Sequence, residues 1–399
     1  MPIAIWVLGS AIFAQGTSEL MLAGLLPELS ADFAISIPQA GLSVSVFALG
    51  MLVGAPVLAI LTLRWPRRRT LLAFLGVFVA AHGVGAVTDS YAVLLGTRFV
   101  AAIVYAGFWA VGASTAMALV SPDRRGRAMS VVAGGLTTAM VVGLPAGTWI
   151  GQQVGWRAAF WAVAVMTIVA ACAVLVVIPD ARAHTVVRSR DEIRGVAVPR
   201  LWLSYALTAI STAALLGTFT YLGAMLITTT GVQAEWVPLV LFGYGLGALV
   251  GMAVGGYAAD RWPHGVLAAG FGVLTVVLAL LGAAVHVAPA VVGLALVLGF
   301  AGFGSNPALN SRVFAIAPDA PTLAPAVNVS AFNVGIAVGP WLSGVALTAG
   351  LGYPSVPWIG AGLGVVAVLL LVVDILLSRS PRRVPEPVGT AEAEVAACR

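Results

Sequence analysis

Apolar stretches of about 20 residues recur along the whole chain, each as long as a helix must be to cross a hydrocarbon core of about 30 Å. Inside lipid a single segment has to satisfy its own backbone N–H and C=O groups, and for runs of this kind that form is the helix. Twelve fit: residues 3–26, 39–63, 70–87, 91–120, 129–150, a sixth ending at Ile178, then 201–227, 236–259, 266–286, 290–315, 325–350 and 358–377. The expected fold is all-α and integral to a membrane. With 60% hydrophobic and 9% charged side chains, little remains for an ordinary soluble core.

Arginines accumulate between the runs. Four fall within Arg64 to Arg69, and Arg124, Arg125 and Arg127 follow the fourth run. Residues 179–200 hold five more with three acids and two prolines. Basic residues favour cytoplasmic loops, so these connectors and both termini are expected on the cytoplasmic side of a bacterial plasma membrane. On that assignment 18 arginines lie inside, Arg157 alone lies outside and Arg98 sits within a span. The chain then divides into an amino-terminal six-helix bundle (1–178), a cytoplasmic linker (179–200), a second bundle (201–377) and a disordered cytoplasmic tail (378–399). The formal charge of +5 resides in connectors rather than on an exposed domain, which argues against a nucleic-acid partner.

Enzyme chemistry finds no foothold. Cys172 and Cys398 make no metal spacing, the four histidines are scattered, and with no lysine at all there is no phosphate loop. No cofactor or metal is expected, and the expected state is a monomer in lipid.

The halves repeat. Arg64-Trp65-Pro66 after the second run and Arg261-Trp262-Pro263 after the eighth lie 197 positions apart, and Pro145 of the fifth run and Pro340 of the eleventh lie 195 apart. Two landmarks with one period imply duplicated six-helix bundles, an architecture that places substrate near the midplane between them.

These residues carry a family resemblance. Gly256, Asp260 and Arg261 resemble the signature between the second and third helices of the major facilitator superfamily. In the first copy Arg64, Arg67 and Arg68 match, while Leu63 and Pro66 stand where Asp and Gly are usual. Gly135, Gly143, Pro145 and Gly147 are similar to the glycine-proline motif of its drug:proton antiporters. Gly16-Thr17-Ser18-Glu19, Gly54-Ala55-Pro56, Gly126-Arg127-Ala128 and Gly155-Trp156-Arg157 resemble bacterial chloramphenicol exporters, with departures at Tyr105 and Trp109 where Asn and Leu are usual. The resemblance implies two pseudo-symmetric bundles, alternating access, a gating role for the signature residues and a proton-coupling role for an arginine early in the fourth span.

Glu19 is the foremost candidate site residue. A charge in the membrane interior costs on the order of 3 kcal/mol by insertion scales, so an acid there is a functional candidate by default. One repeat later stand Leu215 and Leu216, so the acid breaks the symmetry of the halves. Arg98 is its expected partner: each lies seven residues from the outer end of its span, roughly 10 Å deep. Tyr105 and Trp109 share the Arg98 face at i+7 and i+11, and Gln15 precedes Glu19 by one turn. Gln15, Tyr105, Trp109, Phe219, Tyr221, Asn306, Asn310 and Asn333 are candidate cavity residues, and His82 reads as a satisfied polar group. Gly143, Pro145 and Gly147, with Gly339 and Pro340 of the second half, are expected to form a close seam that opens and closes.

The function expected from all of this is proton-driven export of a small amphiphilic drug of the phenicol type, with drug, protons and membrane lipid as partners. The alternative is export of a sugar or nucleoside on the same scaffold, suggested by the amides of the tenth and eleventh spans.

Overall fold

The structure, a computed structural model, describes residues 1–62, 65–121, 124–179, 198–318, 320 and 323–379. Arg64, residues 180–197 of the expected linker and residues 380–399 of the expected tail lie outside them. Among the described residues, twelve helices are long and apolar enough to cross a membrane. Spans 1 to 6 are Ile3–Gly24, Ile37–Ala55, Arg67–Val87, Tyr91–Ala118, Arg125–Val154 and Trp156–Val177. Spans 7 to 12 are Pro199–Thr228, Ala234–Ala259, Pro263–Ala283, Ala288–Ile316, Leu323–Thr348 and Ser355–Leu377. The expected all-α membrane architecture is the observed one.

Prolines explain the departures from regular helix. The connector after span 1 carries a short helix, Leu26–Asp32, with Pro27 in its first turn, where no intrahelical N–H is required. Span 5 passes through a π-helical turn at Ala139–Gly143 just before Pro145, whose missing N–H leaves the ladder to be redirected. Span 10 is two helices, Ala288–Gly304 and Asn306–Ile316, with Pro307 opening the second. Pro340 sits inside an uninterrupted Leu323–Thr348.

The small-residue ridges act within each half. A Cβ at Gly135 would stand 3.1 Å from the Phe13 nitrogen, one at Gly143 3.0 Å from Thr17 Cβ, and one at Gly147 2.8 Å from Met21 Cβ. Span 5 thus lies backbone to backbone against span 1. The second half repeats the arrangement: a Cβ at Gly335 would meet the Ala213 nitrogen at 3.0 Å, and one at Gly339 the Gly217 nitrogen at 2.9 Å. The ridges join spans 1 and 5, and spans 7 and 11. The ridge of span 5 thereby fixes the helix that carries Glu19, and the same span meets the other half at Met140, against Gly245.

The described contacts between halves lie toward the end where span 1 finishes, opposite the connector that holds Arg67. Ser45 Oγ donates to the Ala337 carbonyl at 2.9 Å. A Cβ on Gly41 would be 2.8 Å from Tyr221 Cζ, and one on Gly245 2.6 Å from the Met140 carbonyl. At the same end the Arg157 guanidinium pairs with Asp32, bonds Asp89 at 2.9 Å and reaches the Thr88 carbonyl at 3.1 Å. Trp156 Nε1 also donates to Asp32, at 3.0 Å. Gly155 turns the chain into span 6 at φ +102°, a conformation that L side chains rarely adopt.

Candidate functional site

Four helices of the first half converge on Arg98. Span 4 buries it to 1% exposure although it is long and charged. Its guanidinium carbon lies 4.1 Å above the Phe47 ring of span 2, in cation–π contact. Nη1 donates to Ser18 Oγ of span 1 at 2.6 Å. Ser18 is in turn 2.6 Å from His82 Nε2 of span 3, and His82 Nδ1 lies 2.8 Å from the Phe78 carbonyl. The imidazole stacks on Phe78 at 4.2 Å between centroids. A carbonyl only accepts, so Nδ1 carries the proton; Nε2 then accepts from Ser18, and Ser18 accepts from Arg98.

Glu19 is half-buried beside this chain of bonds. It is the charge to which Arg98 is coupled, and the Tyr105 hydroxyl faces it. Arg98 and Glu19 are not in direct ion-pair contact: Nε and Nη2 of Arg98 are buried with no acceptor. Tyr105 is fully buried, its hydroxyl between Glu19 and Trp109 but with no partner at hydrogen-bond geometry. The arrangement holds an acid, a base-coordinated hydroxyl and a guanidinium within one apolar bundle. Such a set can hold and release a proton while a neighbouring cation changes its distance from the acid.

The structure brings some expected residues together and separates others. Gln15 is buried, its Nε2 turned back to the Ala11 carbonyl at 3.2 Å and its Oε1 left without a donor. Trp109 is half-buried on the Tyr105 face. Phe219 stacks on Tyr244 at 4.4 Å inside the second half. Tyr221 is 1% exposed and wedged at the closed junction of the halves, its hydroxyl donating to the Pro340 carbonyl at 3.1 Å. Asn310 gives its Nδ2 to the Asn306 carbonyl at 3.0 Å and accepts from Asn328 at 3.0 Å; Asn328 accepts from Thr208 at 2.9 Å. Those amides tie spans 7, 10 and 11 to one another. Asn333 bonds the Val329 carbonyl at 2.9 Å and keeps a buried, unpartnered Oδ1.

Of the signature residues, Arg67 reaches the Ser114 carbonyl at 3.5 Å, tying the connector to the end of span 4. Arg68 is half-buried, Asp260 is exposed, and Arg261, in the turn after span 8, lies 4.6 Å over Tyr257 of that span. Gly256 approaches Pro307 of span 10.

Sequence reasoning did not assign Ser18, His82 or Phe47 to the site. Asp374 was also passed over, although Val372-Val373-Asp374-Ile375-Leu376 carries the signal that marked Glu19: an acid in an apolar run. It is fully buried, 2.5 Å from Arg312 and 3.3 Å from Arg200. Arg312, itself only 7% exposed, joins Arg98 as a buried cation within a span, which corrects the expectation of a single one. Outside the spans, burial holds the Glu28 carboxyl above the usual carboxylate range, and its Oε2 has no donor.

Comparison with known proteins extends over the whole chain. The sequence profile described as Major Facilitator Superfamily matches residues 8–322 and 201–397. A Streptomyces lividans protein named for chloramphenicol resistance is 41% identical over 376 residues, covering 93% of this chain and 95% of that protein. An Escherichia coli inner membrane transport protein, YdhP, is 30% identical, covering 96% of each. Among solved structures, a bacterial homologue of the human lysosomal transporter Spinster superposes with a TM-score of 0.72 at 17% identity, over 93% of this chain and 94% of that one.

Proposed function

Since the chain belongs to the Major Facilitator Superfamily and is a twelve-span transporter, we propose that it exports a small, amphiphilic, largely uncharged drug of the phenicol type in exchange for protons. Glu19 is the proton-binding group, Arg98 the cation that senses its charge, and Tyr105 and Trp109 the adjoining wall for substrate. The two halves alternate between openings to either side of a bacterial plasma membrane, with both termini cytoplasmic. No cofactor takes part; the proton gradient drives the exchange.

The observation that carries this reading is a half-buried carboxylate whose fully buried neighbouring guanidinium is not bonded to it, unlike Arg312 and Asp374 of the second half, a costly arrangement that packing alone gives no reason to keep. Similarity to a protein named for chloramphenicol resistance supports the drug class. The sugar or nucleoside reading draws on the amides of spans 10 and 11; Asn310 and Asn328 are engaged with each other, while Asn333 keeps an unpartnered Oδ1.

Inverted vesicles containing the protein should accumulate chloramphenicol when a proton gradient is imposed, and Glu19→Gln should lose that gradient dependence. Unchanged gradient-driven uptake in Glu19→Gln would sink the proton role.

A further inference from the structure

We propose that Ser18 and His82 are positioning residues that hold Arg98 away from Glu19, so that the carboxylate is left accessible to a proton. The inference rests on the exchange reading above and assigns the side chains that set its operating range.

The donors of Arg98 are the starting point. A guanidinium presents five N–H groups in a planar fork, and a carboxylate satisfies two of them at once, the strongest arrangement available to either partner. Here a carboxylate belongs to the residue next to Ser18, yet Nε and Nη2 have no acceptor. What Arg98 has instead is one short bond to a neutral hydroxyl and the face of Phe47. A buried cation that forgoes a nearby anion has to be held off it.

The restraint runs back through three spans to a backbone atom. The Phe78 carbonyl fixes the Nδ1–H tautomer of His82; that tautomer makes Nε2 the acceptor for the Ser18 proton; and the Ser18 lone pairs are thereby aimed at Arg98. Protonation of His82 would turn Nε2 into a donor, leave the Ser18 proton with no acceptor, and set two cations on one hydroxyl. Neutral His82 is therefore part of this conformation. The charged group that acts on it is Arg98 of span 4, and span 6 contributes the apolar Phe160 at 5.4 Å; Arg98 and Tyr105 of span 4 in turn act on Glu19.

Without the restraint Arg98 closes on Glu19 and favours its ionised form. More acid is then needed to load the proton, while the substrate wall at Tyr105 and Trp109 is unaltered. The test is the pH profile of chloramphenicol exchange in proteoliposomes. In Ser18→Ala and His82→Ala the half-maximal pH should move toward acid by roughly one unit, a tenfold change in proton affinity. The KM for drug should be retained, and His82→Gln, whose amide oxygen can accept from Ser18, should restore much of the shift. A role confined to stability would lower the amount of folded protein and leave the midpoint in place.

Wild-type exchange that depends on pH, with both alanine variants active at the wild-type midpoint, overturns the restraint alone. Wild-type exchange that ignores pH overturns the proton reading and this proposal with it. Imidazole nitrogen chemical shifts give an independent readout. With four histidines in the chain, His82 is assignable by its loss in His82→Gln. The Nδ1–H tautomer is expected from about pH 6 to 8, and an imidazolium or Nε2–H form in that range overturns the restraint.

Discussion

At the scale of single residues, the buried charges make sharp predictions. Asp374 is sealed between Arg312 and Arg200. Asp374→Asn leaves a buried guanidinium uncompensated, a change that costs about 3–5 kcal/mol where both partners are desolvated. A marked fall in thermal midpoint in detergent is expected, and the paired change Asp374→Leu with Arg312→Met should recover most of it. Glu28 works in the opposite sense. Because burial raises its carboxyl above the ordinary 4.5, the ionised form is the costly one. Its contribution to stability is fully present below that ordinary value and is lost as pH climbs through the raised one. Glu28→Gln should therefore raise the thermal midpoint near neutral pH, and the difference from wild type should close in acid. Glu19 and Arg98 were legible in the sequence because a charge in an apolar run has few innocent explanations. Ser18, Phe47 and His82 were not. Serines and phenylalanines are common in such spans, and the contacts that give these three their roles join residues 51, 64 and 80 positions apart.

At the scale of elements, the fifth span shows how composition becomes placement. Its glycines let it lie on span 1 without side chains between them, and the π-helical turn at Ala139–Gly143 absorbs Pro145 within the same helix. Gly135→Val would drive a branched side chain into the backbone at Gly9 and Phe13, where even a Cβ has only 3.0 and 3.1 Å. Overpacking of this kind costs about 1–3 kcal/mol or more. The expected outcome is reduced folded yield and loss of transport, measured by fluorescence-detected size exclusion and vesicle uptake. Spacing by fours announced the ridge in the sequence. Which neighbour it meets was not written there, because every span offers an apolar face and the selection is made by shape. The break of span 10 was likewise hidden, since Pro307 is compatible with either a kink or a fresh start.

At the scale of the whole molecule, the duplication read from two landmarks is visible in the packing, where spans 7 and 11 repeat the contact of spans 1 and 5. The number of spans followed from hydrocarbon thickness; the end at which the halves touch did not, since a contact such as Ser45 with Ala337 joins residues 292 positions apart. That contact can be trapped. In a background of Cys172→Ser and Cys398→Ser, the pair Ser45→Cys and Ala337→Cys should cross-link under mild oxidation and halt transport, and a reductant should restore it. Full transport with a quantitative cross-link would show that the junction does not part during turnover.

Ser45 to Ala337 is also the one hydrogen bond between halves among the described residues. A hydrogen bond contributes about 1 kcal/mol net, whereas one charge crossing 100 mV releases about 2.3 kcal/mol. The remaining contacts are apolar: span 2 lies along span 11, Met140 and Leu144 join the core of the second half, and Tyr221 joins that of the first. A junction held by apolar contact and one hydrogen bond has few directional bonds to break, so under the proposed exchange its opening is governed by how much apolar surface must be covered again.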